Sequence, residues 1–237
     1  MLYWLVQLTG EKFDLEDLPH WFTTPVLQVV EESNGYYLKS DLLDPLQDAS
    51  KVRVLAEELR ERMLGAAKLE RPNFRSVELG NIISRNEDGK QSAYLFLPPV
   101  GMRGKAAPSI IVGGRREVLQ VPQTAKRMKL AASDEKVAKA LRLWGKGSDD
   151  WGNLYKIWEV IESDVGGAIY RNGWVTKPES GLFTQTANSS EALGDVARHA
   201  KHIPAPPKPM SMEVAQQFLK RLIENWLLSK ASQPSDE

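Results

Sequence analysis

The sequence predicts an α+β protein, with a mainly antiparallel sheet and one long helix in the first half and an all-α helical bundle in the second. Two observations carry this. Apolar runs in the first half are separated by Asn34-Gly35 and Asp88-Gly89, the dipeptides of tight hairpin turns. After Pro122 the apolar residues recur every three to four positions, the period of a helix. The change of period divides the chain into an α+β domain over 1–122 and a helical-bundle domain over 123–237, which ends in a frayed polar tail.

The elements follow in order. Residues 3–8 are aromatic and β-branched in part and suit a first strand. Residues 15–22 suit a short helical segment. Apolar runs at 26–30 and 36–38 flank Asn34-Gly35 and form a hairpin. Val52, Leu55, Ala56, Leu59 and Met63 share one face of a long helix, which Gly65 helps to end. Residues 77–84 and 92–97 form a second hairpin around Asp88-Gly89, and Pro98-Pro99 stops its second strand. A short apolar run at 110–112, ending at Gly113-Gly114, pairs with 118–121.

In the second half Ser133 caps a helix with Val137, Ala140, Leu141 and Trp144 on one face, and Gly145 and Gly147 end it. Ser148-Asp149-Asp150 open another, striped with Trp151, Leu154, Tyr155, Trp158, Ile161 and Val165 and closed by Gly166-Gly167. Residues 170–183 hold a turn at Asn172-Gly173 and a helix-breaking Pro178. A third helix spans about 187–201. Ser211 caps the last, whose stripe is Ala215, Phe218, Leu219, Leu222, Ile223 and Trp226. Five of the seven tryptophans lie here, at 144, 151, 158, 174 and 226. At helical spacing they read as core rather than as a base-stacking surface.

Composition excludes several classes. Hydrophobic content of 42% and charged content of 26% are ordinary for a globular chain with a sizeable core. No apolar run approaches the ~20 residues that cross a bilayer, so no membrane partner is expected. Met1-Leu2-Tyr3-Trp4-Leu5-Val6 lacks a basic leader and a small-residue cleavage site, and reads as a strand rather than a signal peptide. The absence of cysteine excludes disulfides, thiolate metal sites and cysteine nucleophiles, and is compatible with the cytoplasmic location expected here.

The formal net charge is zero but unevenly spread: −5 over 1–102, +6 over 103–129 and −1 over 130–237. Within the basic block Arg115, Arg116, Lys126, Arg127 and Lys129 are candidates for phosphate contact, together with Lys201 further on. A solvated connector facing the acidic first half is the competing reading. Gly113-Gly114-Arg115-Arg116 follows an apolar run but lacks phosphate-loop spacing, and neither GxGxxG nor GxxxxGK[ST] is present, so a tight turn is expected there.

Chemistry concentrates at Arg198-His199-Ala200-Lys201-His202, which holds two of the three histidines. Histidine titrates near neutral pH and arginine holds phosphate in two-pronged fashion. On a helix ending at the prolines, Arg198 and His202 would project from one edge, four residues apart. Such a pair suits cleavage of RNA by its own 2′-hydroxyl, a reaction that needs charge stabilisation and proton transfer. Asp195, His199 and His202 fall at i, i+4 and i+7, a spacing that could hold a metal, but Arg198 and Lys201 oppose a cation; no metal and no cofactor is expected. The structural alternative is an Asp195–Arg198 surface ion pair with a histidine bonding the last helical carbonyls.

Residues 197–202, the proline-rich turn and Ser211-Met212-Glu213-Val214-Ala215 opening a final helix together resemble the end of a HEPN domain, over about residues 133–228. That superfamily of helical bundles often carries an arginine, a polar residue and then a histidine before its last helix. Many members are metal-independent RNases in toxin–antitoxin and phage-defence systems; others are inactive binding modules. The family usually spaces Arg and His by four to six residues, and here three lie between Arg198 and His202. The resemblance implies RNA as a partner, with Arg198 for phosphate and His202 or His199 for proton transfer; Asp195, three residues before Arg198, is a further candidate catalytic residue by its position. The alternative is a catalytically silent module that dimerises or docks a protein partner. A third reading is a small-molecule or nucleotide binder.

Overall fold

The computed structural model describes residues 2–86, 91–94, 122–198 and 202–232. The first half carries one six-stranded antiparallel sheet and the second half is mostly helical, so the chain is α+β. Contacts group Met1–Ala56 with Val77–Lys126, and Glu57–Ser76 with Arg127–Glu237.

In the first unit β1 (Leu2–Thr9) pairs antiparallel with β4 (Gly35–Lys39) on one side and β5 (Glu78–Asn86) on the other. With β2 (Thr23–Thr24), β3 (Leu27–Glu32) and β6 (Gln91–Tyr94) the order is β2-β3-β4-β1-β5-β6. As an interior strand, β1 buries Trp4, Leu5 and Val6 in succession, so its run is continuously apolar rather than alternating. α1 (Lys12–Trp21) buries Leu15 and Leu18 and packs on β3. The Trp4 indole N–H donates to the Leu46 carbonyl at 2.8 Å, and Arg53 donates to the Gly80 and Leu79 carbonyls at 2.8 and 3.1 Å.

The first hairpin sits one residue earlier than Asn34-Gly35 suggests. Glu32 pairs with Gly35, leaving Ser33-Asn34 as the turn, and Gly35 takes φ +140°, which a Cβ would resist. β5 and β6 form the second hairpin. Its Asp88-Gly89 turn, the paired runs expected at 110–112 and 118–121, and Arg115 and Arg116 lie outside the described residues.

Gly65 does not end the long helix. α2 spans Ala49–Glu70, and its later turns group with the helical unit, although the sequence places them in the first domain. The reason is a close helix approach. A Cβ on Gly65 would overlap the Leu141 carbonyl, and one on Gly145 would overlap the Glu61 carbonyl. Both glycines lie inside helices, where they cost propensity, because the backbones of α2 and α4 (Glu135–Lys146) touch there. Gly147 alone caps α4 at its C-terminal end.

The helical unit differs from expectation at several helix ends. Arg127–Ser133 of α3 (Gln123–Ser133), a helix the periodicity did not single out, leads in. Asp134 rather than Ser133 caps α4, its carboxylate accepting from the Lys136 and Val137 N–H groups at 2.9 and 3.1 Å. Asp150 caps α5 (Trp151–Val165) in the same way, and Gly166 closes it at φ +51°. After α6 (Ala168–Arg171), Pro178 sits in the first turn of α7 (Lys177–Asn188), where no intrahelical N–H is needed, behind a Thr176–Glu179 capping box. The helix expected over 187–201 does not run through its described residues, 187–198. Ser189 opens the short α8 (Ser190–Leu193) by accepting from the Ala192 N–H, and Gly194 at φ +61° turns the chain into a single 3-10 turn, Gly194–Val196. α9 (Met212–Ala231) starts at Ser211 as expected. Trp144, Trp151, Trp158 and Trp226 are buried and Trp174 is partly so. Trp158 of α5 stacks with Phe218 of α9 at 5.9 Å, and Phe183 of α7 meets Phe218 at 5.1 Å.

Candidate functional site

The described residues on either side of the candidate segment are stapled to each other. The chain leaves α7 through α8 and the 3-10 turn, and Pro204, Pro206, Pro207 and Pro209 follow His202 on the way to α9. The outgoing and returning strands are tied together: Ser189 Oγ donates to the Ile203 carbonyl at 2.8 Å, the Ile203 N–H donates to Ser190 Oγ at 3.3 Å, and the Ala205 N–H to the Glu191 carboxylate at 3.0 Å. The buried Thr186 hydroxyl accepts the Met210 N–H at 3.1 Å. The prolines bring no N–H groups that would need partners.

Arg198 sits at the far end of this loop. Its N–H donates to the Ala187 carbonyl at 3.0 Å, which fixes its backbone against the end of α7. Its guanidinium lies 4.0 Å over the Tyr155 ring and donates through Nη2 to Glu159 Oε1 at 2.7 Å. Tyr155 and Glu159 are one turn apart on α5, so ring and carboxylate grip the same cation. Tyr155 in turn stacks on Phe183 at 6.3 Å, which joins the loop to the aromatic core. Both members of the ion pair keep solvent access, at 31% for Arg198 and 44% for Glu159.

Arg198 therefore meets Glu159, and the expected Asp195–Arg198 pair is replaced by it. Asp195 is exposed on the 3-10 turn. His202 is exposed and lies outside any helix, so no helical face carries Asp195 and His202 together. His199 and Lys201 lie outside the described residues. Among the described residues no group of three or more His, Cys, Asp or Glu side chains could hold a metal ion.

The basic block separates into unlike parts. Arg127 is a structural cation: its guanidinium donates to the Ala66 carbonyl and the Glu70 carboxylate, both at 3.1 Å, with its side chain only 12% exposed. Lys126 and Lys129 are exposed on α3. The residues that sequence reasoning missed are Tyr155 and Glu159. Their i, i+4 spacing on α5 marks them as one face, but nothing in the order of residues couples that face to a loop some forty positions later.

Among the described residues no helix is long and apolar enough to cross a membrane. Compared with known proteins, the chain matches no family model, no curated protein and no solved structure.

Proposed function

We propose that the helical unit is a HEPN-like module that interacts with RNA through the residues of segment 195–202, with metal-independent cleavage as its activity. The observation that supports this reading is the posture of Arg198. Its guanidinium is held by a ring and a carboxylate on an exposed surface, with the imidazole of His202 four residues on. An exposed ion pair of this kind is worth only ~0–1 kcal/mol, so a phosphate can take the place of Glu159 at small cost. In the reaction the 2′-oxygen attacks the adjacent phosphorus and the bond to the 5′-oxygen breaks. A proton leaves the 2′-hydroxyl and another reaches the departing 5′-oxygen, with His202 or His199 carrying one of them. Arg198 balances the charge on the phosphorane oxygens.

The Arg198–Glu159 contact also favours a second reading, a silent interaction module in which Arg198 fastens the loop to α5. One experiment separates the two. Single-stranded RNA is incubated with the protein in EDTA, beside the Arg198→Ala and His202→Ala variants. The first reading expects cleavage that leaves cyclic-phosphate ends and falls about 10²-fold or more in each variant. No cleavage by the wild type, with Arg198→Ala losing only stability, overturns it and leaves the second.

A further inference from the structure

The contacts of Arg198 are of two kinds. Two of them set where its guanidinium lies. The Arg198 backbone N–H donates to the Ala187 carbonyl at 3.0 Å, and the guanidinium sits 4.0 Å over the Tyr155 ring. Tyr155 is itself held, because its ring stacks on the buried Phe183 at 6.3 Å. The third contact takes up a donor. Glu159 Oε1 accepts from Nη2 at 2.7 Å, the length of a charge-assisted hydrogen bond. We infer, on the RNA reading of Arg198, that Glu159 is an autoinhibitory group: its carboxylate occupies the guanidinium edge that an RNA phosphate needs, and the phosphate binds by displacing it.

A guanidinium offers its donors in its own plane and its charge on both faces. The Tyr155 ring covers a face, which leaves the in-plane donors open to an anion while the ring contact persists. Glu159 competes for those donors. A carboxylate and a phosphate bonded to one guanidinium stand within a few ångströms of each other, both negative, so each disfavours the other. Glu159 is the group free to yield. Its side chain is 44% exposed, and among the described residues no second cation lies within ion-pair distance of it. Arg198 keeps both of its anchors when Glu159 leaves, so the carboxylate is not needed to aim it. Solvent around the pair screens the attraction, and the inhibition it exerts on binding is therefore small, about two- to fivefold.

The test uses the full chain and a single-stranded RNA oligonucleotide carrying 2′-O-methyl groups, which keeps every phosphate and cannot be cleaved through its 2′-oxygen. Binding is followed by fluorescence anisotropy in EDTA at low salt. The proteins compared are the wild type, Glu159→Gln, Glu162→Gln, Arg198→Ala and the Arg198→Ala, Glu159→Gln double variant. Glu162 is exposed on the same helix, and among the described residues it forms no ion pair with Arg198, so its variant removes an equal charge without touching the site. Glu159→Gln should bind about two- to fivefold tighter than wild type, Glu162→Gln should gain less, and Glu159→Gln should gain nothing once Arg198 is alanine. Weaker or unchanged binding by folded Glu159→Gln overturns the inference. So does a gain that Glu162→Gln equals, or one that survives the loss of Arg198. Each of those results leaves the RNA reading in place so long as the wild type binds and Arg198→Ala weakens it. Absence of binding by both wild type and Glu159→Gln removes the RNA reading itself, and the autoinhibitory role with it.

Discussion

Replacing Lys230 by methionine should destabilise the helical unit by about 2–3 kcal/mol at neutral pH. The Lys230 ammonium lies 2.6 Å from Asp134 and 2.7 Å from Asp164, and Asp164 also accepts the Trp226 indole N–H at 2.9 Å. The three side chains are 14–25% exposed. Removing one partner of a fully buried pair costs about 3–5 kcal/mol. Partial exposure, and Lys136 remaining 3.1 Å from Asp164, lower that figure. Methionine keeps the stem that covers the Trp226 ring, so the loss reports charge and hydrogen bonds rather than packing. The sign with pH is fixed by the carboxyls. Burial would raise both aspartates, but hydrogen bonds from Lys230, with Val137 N–H at Asp134 and Trp226 at Asp164, hold them below their ordinary values. Groups depressed in the folded state contribute above their unfolded pKa of ~3.9 and lose that contribution as pH falls through the folded value. Urea unfolding followed by tryptophan fluorescence should therefore show a gap between wild type and Lys230→Met that narrows below pH ~4. A gap under ~0.5 kcal/mol at pH 7, or one indifferent to pH, would refute the reasoning.

Gly65→Ala should cost ~1–3 kcal/mol or more, because the added methyl meets a backbone carbonyl that cannot turn aside; a melting temperature equal to wild type would show that α2 and α4 can separate freely. Trp158→Ala should cost ~3–5 kcal/mol, read in the same urea assay, since the ring is buried between α7 and α9. Arg198→Ala should cost only about 1 kcal/mol in thermal melts, the sum of an exposed ion pair and a ring contact, and a larger loss would mark the loop as part of the core. If α3 touches RNA, Lys126→Gln and Lys129→Gln should each flatten the salt dependence of binding by about 0.7 in the logarithmic slope, whereas Arg127→Ala should lower stability instead.

The elements that were legible from sequence are those whose signal is local. The 3.6-residue patterns, Asp150 and Ser211 as helix starts, and the tryptophan stripes all depend on neighbours within a turn or two, and they stand in the structure. The readings that failed are those in which a distant backbone decides. Gly65 and Gly145 look like helix stops by propensity, but each is kept small by the other's helix. Pro178 looks like a breaker until Thr176 is seen to open a helix just before it. At the candidate site, Arg198 and His202 are conspicuous from composition alone, but the partners that orient Arg198 come from α5 and carry no mark in sequence.

The glycine contact between α2 and α4 also sets an order of events during synthesis. The two glycine-bearing turns are about eighty residues apart, and at about 5–20 residues per second α2 waits roughly 4–16 s for the surface that covers it. During that interval Ala66, Ala67 and Leu69, all buried in the finished protein, face the solvent of the nascent chain. The ribosome must deliver residues 77–126, which belong to the other unit, before the helical unit can be completed. A chain arrested between those points presents a sticky half-helix, and that intermediate is where chaperones and proteases find their opportunity.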